Sequence, residues 1–342
     1  SMDPLTQGLI GAASPQAVTP NRRLLLRAGF LGLIAGILPD LDVLIRSSSD
    51  PLLFLEYHRQ FSHSVFFIPV GGLVCAGLFY LLLRRRIDLP FKMLWLYSTL
   101  GYGTHGLLDA FTSYGTMLGW PFSEERVSFG IISVVDPLFT LPVLVLVLLA
   151  VTYGKSRFAL VAVLWAGLYL SAGVLQRHEA IKMGTSLAMS RGHIPVRLAV
   201  KPSFGNIVVW KVVYETGERF FVDAVRVTIA PRVFPGASVF KLVVRKDFPM
   251  LGKNTRQAHD IERFAHLSDG YLARDPSVAG RIIDVRYSMI PNEIDALWSI
   301  GVSVTAGPDE HVTFQTHRGD PMEGLNRLWA MLIAPVSGLQ RP

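Results

Sequence analysis

Long runs without a charged residue dominate the first half of the chain and fade from the second. Ser64–Leu83 is twenty residues without a charge, followed at once by Arg84, Arg85 and Arg86. A helix of that length crosses a hydrocarbon core of about 30 Å, and flanking arginines mark the cytoplasmic end. Further candidate spans lie at about 91–112, 131–153 and 158–175, with Lys155 and Arg157 between the last two. Upstream, Leu24–Leu38 is apolar apart from Arg27 and follows Arg22 and Arg23. Keeping the basic turns cytoplasmic lets all five spans alternate and sends the chain after about residue 176 to the outer side, in a bacterium the periplasm. Leu5–Val18 is apolar but too short to cross, and predicts a short re-entrant helix dipping in from the outer side. Met2 is expected to be the native start, and no cleavable signal peptide is expected, because the N-terminal stretch lacks a basic start and a cleavage site.

The pattern changes from about Arg191. Asn206–Tyr214, Arg219–Ile229 and Val239–Arg245 have the β-branched and aromatic enrichment of strands, with Thr216-Gly217 as a hairpin turn. Gly252–Leu267 and Pro321–Ile333 read as helices, and Arg281–Tyr287, Trp298–Thr305 and His311–Thr316 as strands. The expected architecture is a polytopic α-helical membrane domain over 2–176, with about five spans plus the re-entrant helix, followed by a soluble periplasmic α+β domain over 177–342. Composition agrees with this division. Half of the 342 residues are hydrophobic and 17% are charged, which excludes a disordered or collagen-like chain. Residues 1–175 hold 12 Lys/Arg and 10 Asp/Glu, against 21 and 16 in the remainder. The net charge of +7 invites a nucleic-acid reading, but much of the surplus sits at the ends of apolar segments, so no nucleic-acid partner is expected. Arg245-Lys246 and the outer domain's surplus could attract anionic headgroups, or form an ordinary solvated surface. Cys75 is the single cysteine, which leaves no internal disulfide and no thiolate metal cage.

Ionisable side chains in membrane segments are costly and usually face a cavity or pathway. Here they are Asp3, Asp40, Asp42, His58, His63, His105, Asp109 and Asp136, and the predicted topology brings all of them to the outer end of their segments. His105 and Asp109 are four apart on a predicted helix and project from one face. Pro39 disfavours helix at Leu38, so Pro39-Asp40-Leu41-Asp42 is expected to form a non-helical turn on which both carboxylates converge. A His/Asp set without cysteine suits zinc, manganese or iron, and several carboxylates can bridge two divalent metals. Other readings stay open. Asp136 before Pro137 is also a standard helix N-cap, and Ser62 is expected to cap the helix after it. His58 can be a solvated loop histidine, His105 with Asp109 a hydrogen-bonded structural pair, and Asp40 with Asp42 the mere end of a span. Arg59 and Arg126 can clamp a phosphate or snorkel to lipid headgroups. His178, His193, His259, His266, His311 and His317 show no ligand spacing, and the outer domain contains no GxGxxG, P-loop, HExxH or nucleophile elbow.

The ordered set Met2-Asp3-Pro4-Leu5-Thr6, Leu38-Pro39-Asp40-Leu41-Asp42, His58-Arg59-Gln60-Phe61-Ser62-His63-Ser64 and His105-Gly106-Leu107-Leu108-Asp109 resembles a known family. So do Phe111-Thr112-Ser113-Tyr114-Gly115-Thr116, Trp120-Pro121-Phe122 and Asp136-Pro137-Leu138. Over about residues 2–150 the chain is similar to the YdjM-like family of bacterial inner-membrane, metal-dependent hydrolases. That family is distantly similar to zinc-dependent phospholipase C and single-strand nuclease enzymes, which are helical, carry a His-x-x-x-Asp pair and cluster zinc ions. The resemblance implies metal ligation by Asp3, Asp40, Asp42, His58, His63, His105, Asp109 and Asp136. Many relatives have His where this chain has Gln7. Glutamine is a poor zinc ligand, so Gln7 is expected to bind substrate or to leave one metal contact fewer.

The expected function is a membrane-embedded, metal-dependent hydrolase, most simply a phosphoesterase. It would cleave a phospholipid or lipid-linked phosphate at the periplasmic face by a metal-activated water. Asp40, His63 and Asp109 would be catalytic, two or more zinc ions the cofactor, and Gln7, Arg59 and Arg126 the substrate contacts. Two rivals use the same residues: an ion- or proton-coupled transporter, and a non-catalytic, metal-stabilised membrane scaffold. A transporter commonly has internal repeats and polar residues reaching both sides. Here the ionisable layer is one-sided and no repeat is visible.

Overall fold

The computed structural model describes residues 2–335 except Ile229, Arg318 and the Arg84 side chain. The chain divides into two units, Ser1–Ile45 with Tyr57–Val174 and Phe204–Asn206, and Arg46–Glu56 with Leu175–Ser203 and Ile207–Pro342. The main division lies between Val174 and Leu175. The loop Arg46–Glu56 sits among the membrane segments in sequence but folds with the second unit. Its Leu52 is fully buried in an apolar cluster with Phe248, Ile261, Phe264 and Leu272. Its Asp50 and Glu56 both bind Arg263, at 2.9 and 2.6 Å.

The first unit is helical: α1 (Pro4–Ala17), α2 (Leu25–Ile37), a 3-10 segment Leu38–Leu44, then, after the short α3 (Leu53–Tyr57) that falls up to Glu56 in the second unit, 3-10 turns Phe61–His63 and Val65–Phe67, α4 (Ile68–Ile87), α5 (Phe91–Phe111), α6 (Pro137–Tyr153) and α7 (Arg157–Ser190). The last of these continues into the second unit. Local chemistry sets the ends. The Asp3 carboxylate accepts from Thr6 N at the start of α1, and Asp136 accepts from Phe139 N with Pro137 at the first position of α6. Gly154, at φ 64°, closes α6 in the left-handed conformation. Among the described residues, three stretches are long and apolar enough to cross a membrane: Arg22–Leu44, Val65–Leu83 and Arg157–Ser190. That is fewer than the five expected. At 17 residues α6 is about 25 Å long, short of the hydrocarbon core. Lys92, Ser98, Thr99, Thr104, His105 and Asp109 dilute the apolar character of α5.

The 14-residue α1 packs against α2, α5 and α6 and is buried along most of its length. A Cβ on Gly32 of α2 would lie 2.2 Å from the Gly11 carbonyl oxygen of α1, so these two helices touch backbone to backbone. Pro39 does end α2 as an α-helix. The chain then tightens into 3-10 geometry through Leu44 where a non-helical turn was expected.

The second unit holds two four-stranded antiparallel meanders, β1 (Arg197–Pro202) to β4 (Arg232–Phe240) and β5 (Leu272–Arg274) to β8 (Thr313–Thr316). Between them, β2 is Val209–Glu215, β3 Arg219–Arg226, β6 Arg281–Asp284 and β7 Trp298–Gly301. Helices α8 (Val244–Asp247), α9 (Arg256–Leu267) and α10 (Pro321–Ile333) complete it. Thr216-Gly217 lies in the β2–β3 hairpin, and α10 has its expected bounds. The expected strand Asn206–Tyr214 starts at Val209, and Ile229 of the expected Arg219–Ile229 lies outside the described residues. Val239–Arg245 is instead the end of β4 followed by α8. Pro235 is tolerated in β4 because that strand is at the edge of its sheet. The basic strand β1 escapes the pattern because Val200 alone is buried and its other residues, Lys201 included, are partly buried.

β1 and β2 place Lys201 directly opposite Lys211. The Lys211 Nζ donates to Ser288 Oγ at 2.8 Å, Glu293 O at 2.7 Å and Pro291 O at 3.3 Å. Burial pushes the Lys211 ammonium down to about 7, and burial with the nearby Arg286 holds Lys201 well below the usual range. A lysine whose folded pKa is depressed binds fewer protons folded than unfolded between the two values. Stability should therefore rise with pH from about 7 toward 10.5, by up to about 1.4 kcal/mol per pH unit from Lys211 alone. Thermal unfolding of the full chain at pH 7 and 9 is expected to show this rise, and Lys211→Met to make it smaller, with Lys201 still contributing.

Candidate metal centre

Helix α5 carries His105 and Asp109 one turn apart, and both are fully buried. The turn Phe61–His63 brings His63 against them, and the 3-10 segment Leu38–Leu44 adds Asp40. One ligand atom from each of the four lies within 4.8 Å of the others. His63 Nε2 is 3.0 Å from His105 Nε2, 3.3 Å from Asp109 Oδ2 and 3.7 Å from Asp40 Oδ1. His105 Nε2 is 3.4 Å from Asp40 Oδ1 and 3.9 Å from Asp109 Oδ2. Ligands at 2.0–2.1 Å around a tetrahedral ion stand about 3.3 Å apart, so the quartet has close to the required spacing.

The surroundings turn these atoms inward. His105 Nδ1 is 2.6 Å from the Gly36 carbonyl oxygen, which can only accept, so Nδ1 carries the hydrogen and Nε2 presents its lone pair. His63 Nδ1 is 3.2 Å from Asp42 Oδ2, and the same oxygen accepts from Ser62 Oγ at 2.7 Å and Arg59 N at 3.1 Å. Asp42 Oδ1 is 2.7 Å from His58 Nδ1. Asp109 uses Oδ1 to accept from Met2 N at 2.8 Å and Gln7 Nε2 at 2.9 Å, which leaves Oδ2 for the quartet. Asp40 Oδ1 and Asp109 Oδ2 are buried and take no hydrogen bond among the described residues. Two imidazole nitrogens at 3.0 Å beside two carboxylate oxygens require either a proton on one nitrogen or a cation among them. In residue type and spacing the donor set fits a divalent metal ion.

Arg59 is the nearby positive charge. It is 1% exposed, holds φ 64° and sets Nε 3.0 Å from Asp109 Oδ2. Nη1 donates to Thr112 Oγ1 at 3.1 Å, the guanidinium lies over the Tyr114 ring, and Nη2 has no hydrogen-bond partner among the described residues. The Arg59 amide bonds Asp42 and its carbonyl accepts from Met117 N, which together hold this left-handed backbone in place. The Asp40 side chain is 14% exposed, whereas those of His63, His105 and Asp109 are 0%. The quartet opens outward at Asp40.

The structure thus joins Asp40, His63, His105 and Asp109, sets Gln7 and Arg59 on Asp109, and groups Asp42 and His58 with Asp40 as a second, smaller set. Arg126 reaches the rim, with Nη1 3.4 Å from the His58 carbonyl. Asp3 and Asp136 stand outside both groups. Asp3 takes Thr6 N and Thr6 Oγ1, and Asp136 takes Phe139 N and the Tyr169 hydroxyl at 2.8 Å. Ser62, expected to cap a helix, links Asp42 to His63; Ser64 is the cap, accepting from Phe66 N. The Gly36 carbonyl and the Met2 amide were invisible in sequence, because backbone groups carry no residue signature.

A third acidic group, Asp50, Asp260 and His311 in the second unit, differs in kind. Arg263 occupies both Asp50 oxygens at 3.1 and 2.9 Å and Asp260 Oδ1 at 2.9 Å. His311 Nδ1 and Val312 N take Asp260 Oδ2, at 2.8 and 3.1 Å. The cation of that group is already part of the protein.

The profile of the YdjM inner membrane protein family matches residues 2–180, the span that carries every residue of the quartet. The chain belongs to the YdjM inner membrane protein family. Inner membrane protein YbcI of Escherichia coli (strain K12) is 34% identical over 119 residues, covering 34% of this chain and 64% of YbcI. YfhP of Bacillus subtilis (strain 168), described as an uncharacterized protein, is 22% identical over 215 residues, 62% of this chain and 63% of YfhP. The chain thus covers less than two thirds of the length of either relative. No solved structure matches it. YdjM membership and the apolar helices make this an inner membrane protein.

Proposed function

We propose that the chain is a metal-dependent hydrolase of phosphate esters carried by membrane lipids, working at the periplasmic face. The observation that carries this reading is the buried quartet of Asp40, His63, His105 and Asp109, whose two carboxylate oxygens and two imidazole nitrogens face one point, with Arg59 beside Asp109. A divalent ion held there, zinc, manganese or iron, would supply an acidified water and neutralise charge on a phosphate oxygen. The protein's own groups do the rest. Asp42 and the Gly36 carbonyl fix the two imidazoles in the tautomer that presents Nε2. Asp40, the one quartet member open to the outside, is placed to take the proton of an incoming water. The unpartnered Nη2 of Arg59 offers a buried positive charge to a phosphate oxygen, and Arg126 lies at the rim. The periplasmic placement follows from keeping Arg84–Arg86, Lys155 and Arg157 cytoplasmic.

The test is metal content and turnover in the detergent-purified full chain, before and after reconstitution with zinc, manganese or iron. Stoichiometric metal, lost in His63→Ala together with phosphate-ester hydrolysis in membrane lipid extract, is the expected result. A wild-type chain that holds no metal after reconstitution overturns the proposal and leaves the quartet to be tested as a proton pathway. Asp42→Asn, which puts an amide donor among the donors of His58, Ser62 and Arg59, is expected to weaken metal affinity about 10–100-fold in a chelator competition.

A further inference from the structure

A cavity of about 310 Å³ lies beside the quartet within the first unit, between the segment Leu38–Leu44, helix α4 and Tyr102 of α5. Its two ends differ in chemistry. One is closed by Asp42 and Ser62, the side chains that hold His63. The rest is apolar: Phe61, Phe67, Val74, Cys75 and Leu78 line it. On its rim Leu41, Val74 and Leu78 are exposed, at 55%, 55% and 44%. Val74 and Leu78 belong to Val65–Leu83, one of the stretches able to cross a membrane, so the open side of the cavity meets hydrocarbon. Tyr102 makes the floor. Its hydroxyl donates to the Ser62 carbonyl at 2.8 Å, and its ring lies against Gly71, where a Cβ would sit 2.3 Å from Cζ.

We infer that this cavity holds one hydrocarbon chain of the lipid whose phosphate ester the quartet receives. The occupant must be apolar along its length, because a polar one would lose its hydrogen bonds against Phe61, Phe67, Val74 and Leu78. It must carry its polar group at one end, because only the Asp42–Ser62 end is polar. At about 30 Å³ for a water-sized group, close to that of a methylene, the volume matches a single chain segment of about ten carbons. The cavity would thus select for a lipid tail and orient its head toward Asp40 and Arg59. The inference rests on the hydrolase reading for the head of the ligand and on the cavity alone for its tail.

Photo-crosslinking tests the tail separately from the chemistry. The full chain in nanodiscs is labelled with a long-chain alkyl phosphate bearing a mid-chain diazirine, and the adducts are mapped. Adducts confined to Phe61, Phe67 and Val74–Leu78, and lost in Val74→Trp, are the expected result. Labelling spread over every lipid-facing helix overturns the inference. Competition by a diacyl phospholipid or by a polyprenyl phosphate then tells which source of chain the cavity accepts. In turnover, Val74→Trp is expected to raise KM for a long-chain phosphate ester at least tenfold relative to a butyl ester. Val70→Trp, at a position also exposed on α4 but not among the residues lining the cavity, should leave that ratio as in the wild type. An unchanged ratio in Val74→Trp sinks the inference while the hydrolase reading stands. Confined adducts without turnover of any ester sink the hydrolase reading and keep the chain site.

Discussion

Asp109→Asn is expected to strip the metal from the full chain, lowering content more than tenfold, and to abolish phosphate-ester turnover. The substitution is nearly isosteric, and the retained carbonyl oxygen can still accept from Met2 N and Gln7 Nε2. The change falls on the other atom, Oδ2, which faces His63 Nε2 at 3.3 Å and Arg59 Nε at 3.0 Å. An amide NH2 there is a donor with no lone pair for an ion. It also leaves the Arg59 guanidinium buried without its counter-charge, a change that costs about 3–5 kcal/mol when one member of a buried pair is removed. The metal-free variant should therefore unfold at lower temperature than metal-free wild type, and Arg59→Met in the same chain should recover part of the loss. Metal content by elemental analysis and thermal unfolding in detergent check the two effects independently. A variant that keeps wild-type metal content would remove Asp109 from the quartet.

Gly106→Ala is expected to lower metal affinity tenfold or more without touching a ligand. The added Cβ would lie 2.1 Å from the His63 carbonyl oxygen and 3.0 Å from its carbon. Both atoms are backbone, so no rotamer change relieves the overlap, and α5 must move away from the turn that carries His63. The 3.0 Å approach of the two Nε2 atoms depends on that contact. Overpacking of this kind costs about 1–3 kcal/mol in stability. Gly77→Ala on α4 is the control, because nothing lies within 4 Å of its Cβ, and it should be neutral or stabilising by about 0.5–1 kcal/mol. Equal metal affinity in Gly106→Ala and wild type would show that the turn shifts without carrying His63 out of reach.

Part of the centre was legible in sequence for direct physical reasons. The four-residue spacing of His105 and Asp109 puts both on one face of any helix, and burying two such groups in an apolar segment demands a partner. Their partners were less legible. Asp40 and Asp42 were expected to converge, and they do meet in one group with His58, but on the 3-10 path after Pro39 only Asp40 also reaches the quartet, while Asp42 stands behind His63 and His58. Sequence had no means to rank them, because both are carboxylates in one short motif and only their hydrogen-bond partners distinguish ligand from support. Ser62 was read by position as a cap, whereas its hydroxyl is drawn to the stronger acceptor, the Asp42 carboxylate.

The same line divides the fold. Charge-free runs, basic turns, proline breaks and capping aspartates act through the local backbone and through transfer from water, so the sequence by itself determined where α1, α6 and α10 begin or end and that the first half is bound to a membrane. Strand β4 with its Pro235, strand β1 with one buried residue, and the folding of Arg46–Glu56 with the second unit were decided by tertiary structure. In each, the deciding term is an interaction with a distant segment: an edge position in a sheet, a neighbouring strand, and Arg263 with the cluster around Leu52. The centre itself belongs to this second class. Its chemistry is written in residue types, but the 3.0 Å between His63 and His105 exists because Gly106 lets two backbones meet, and no pattern along one segment records a distance to another.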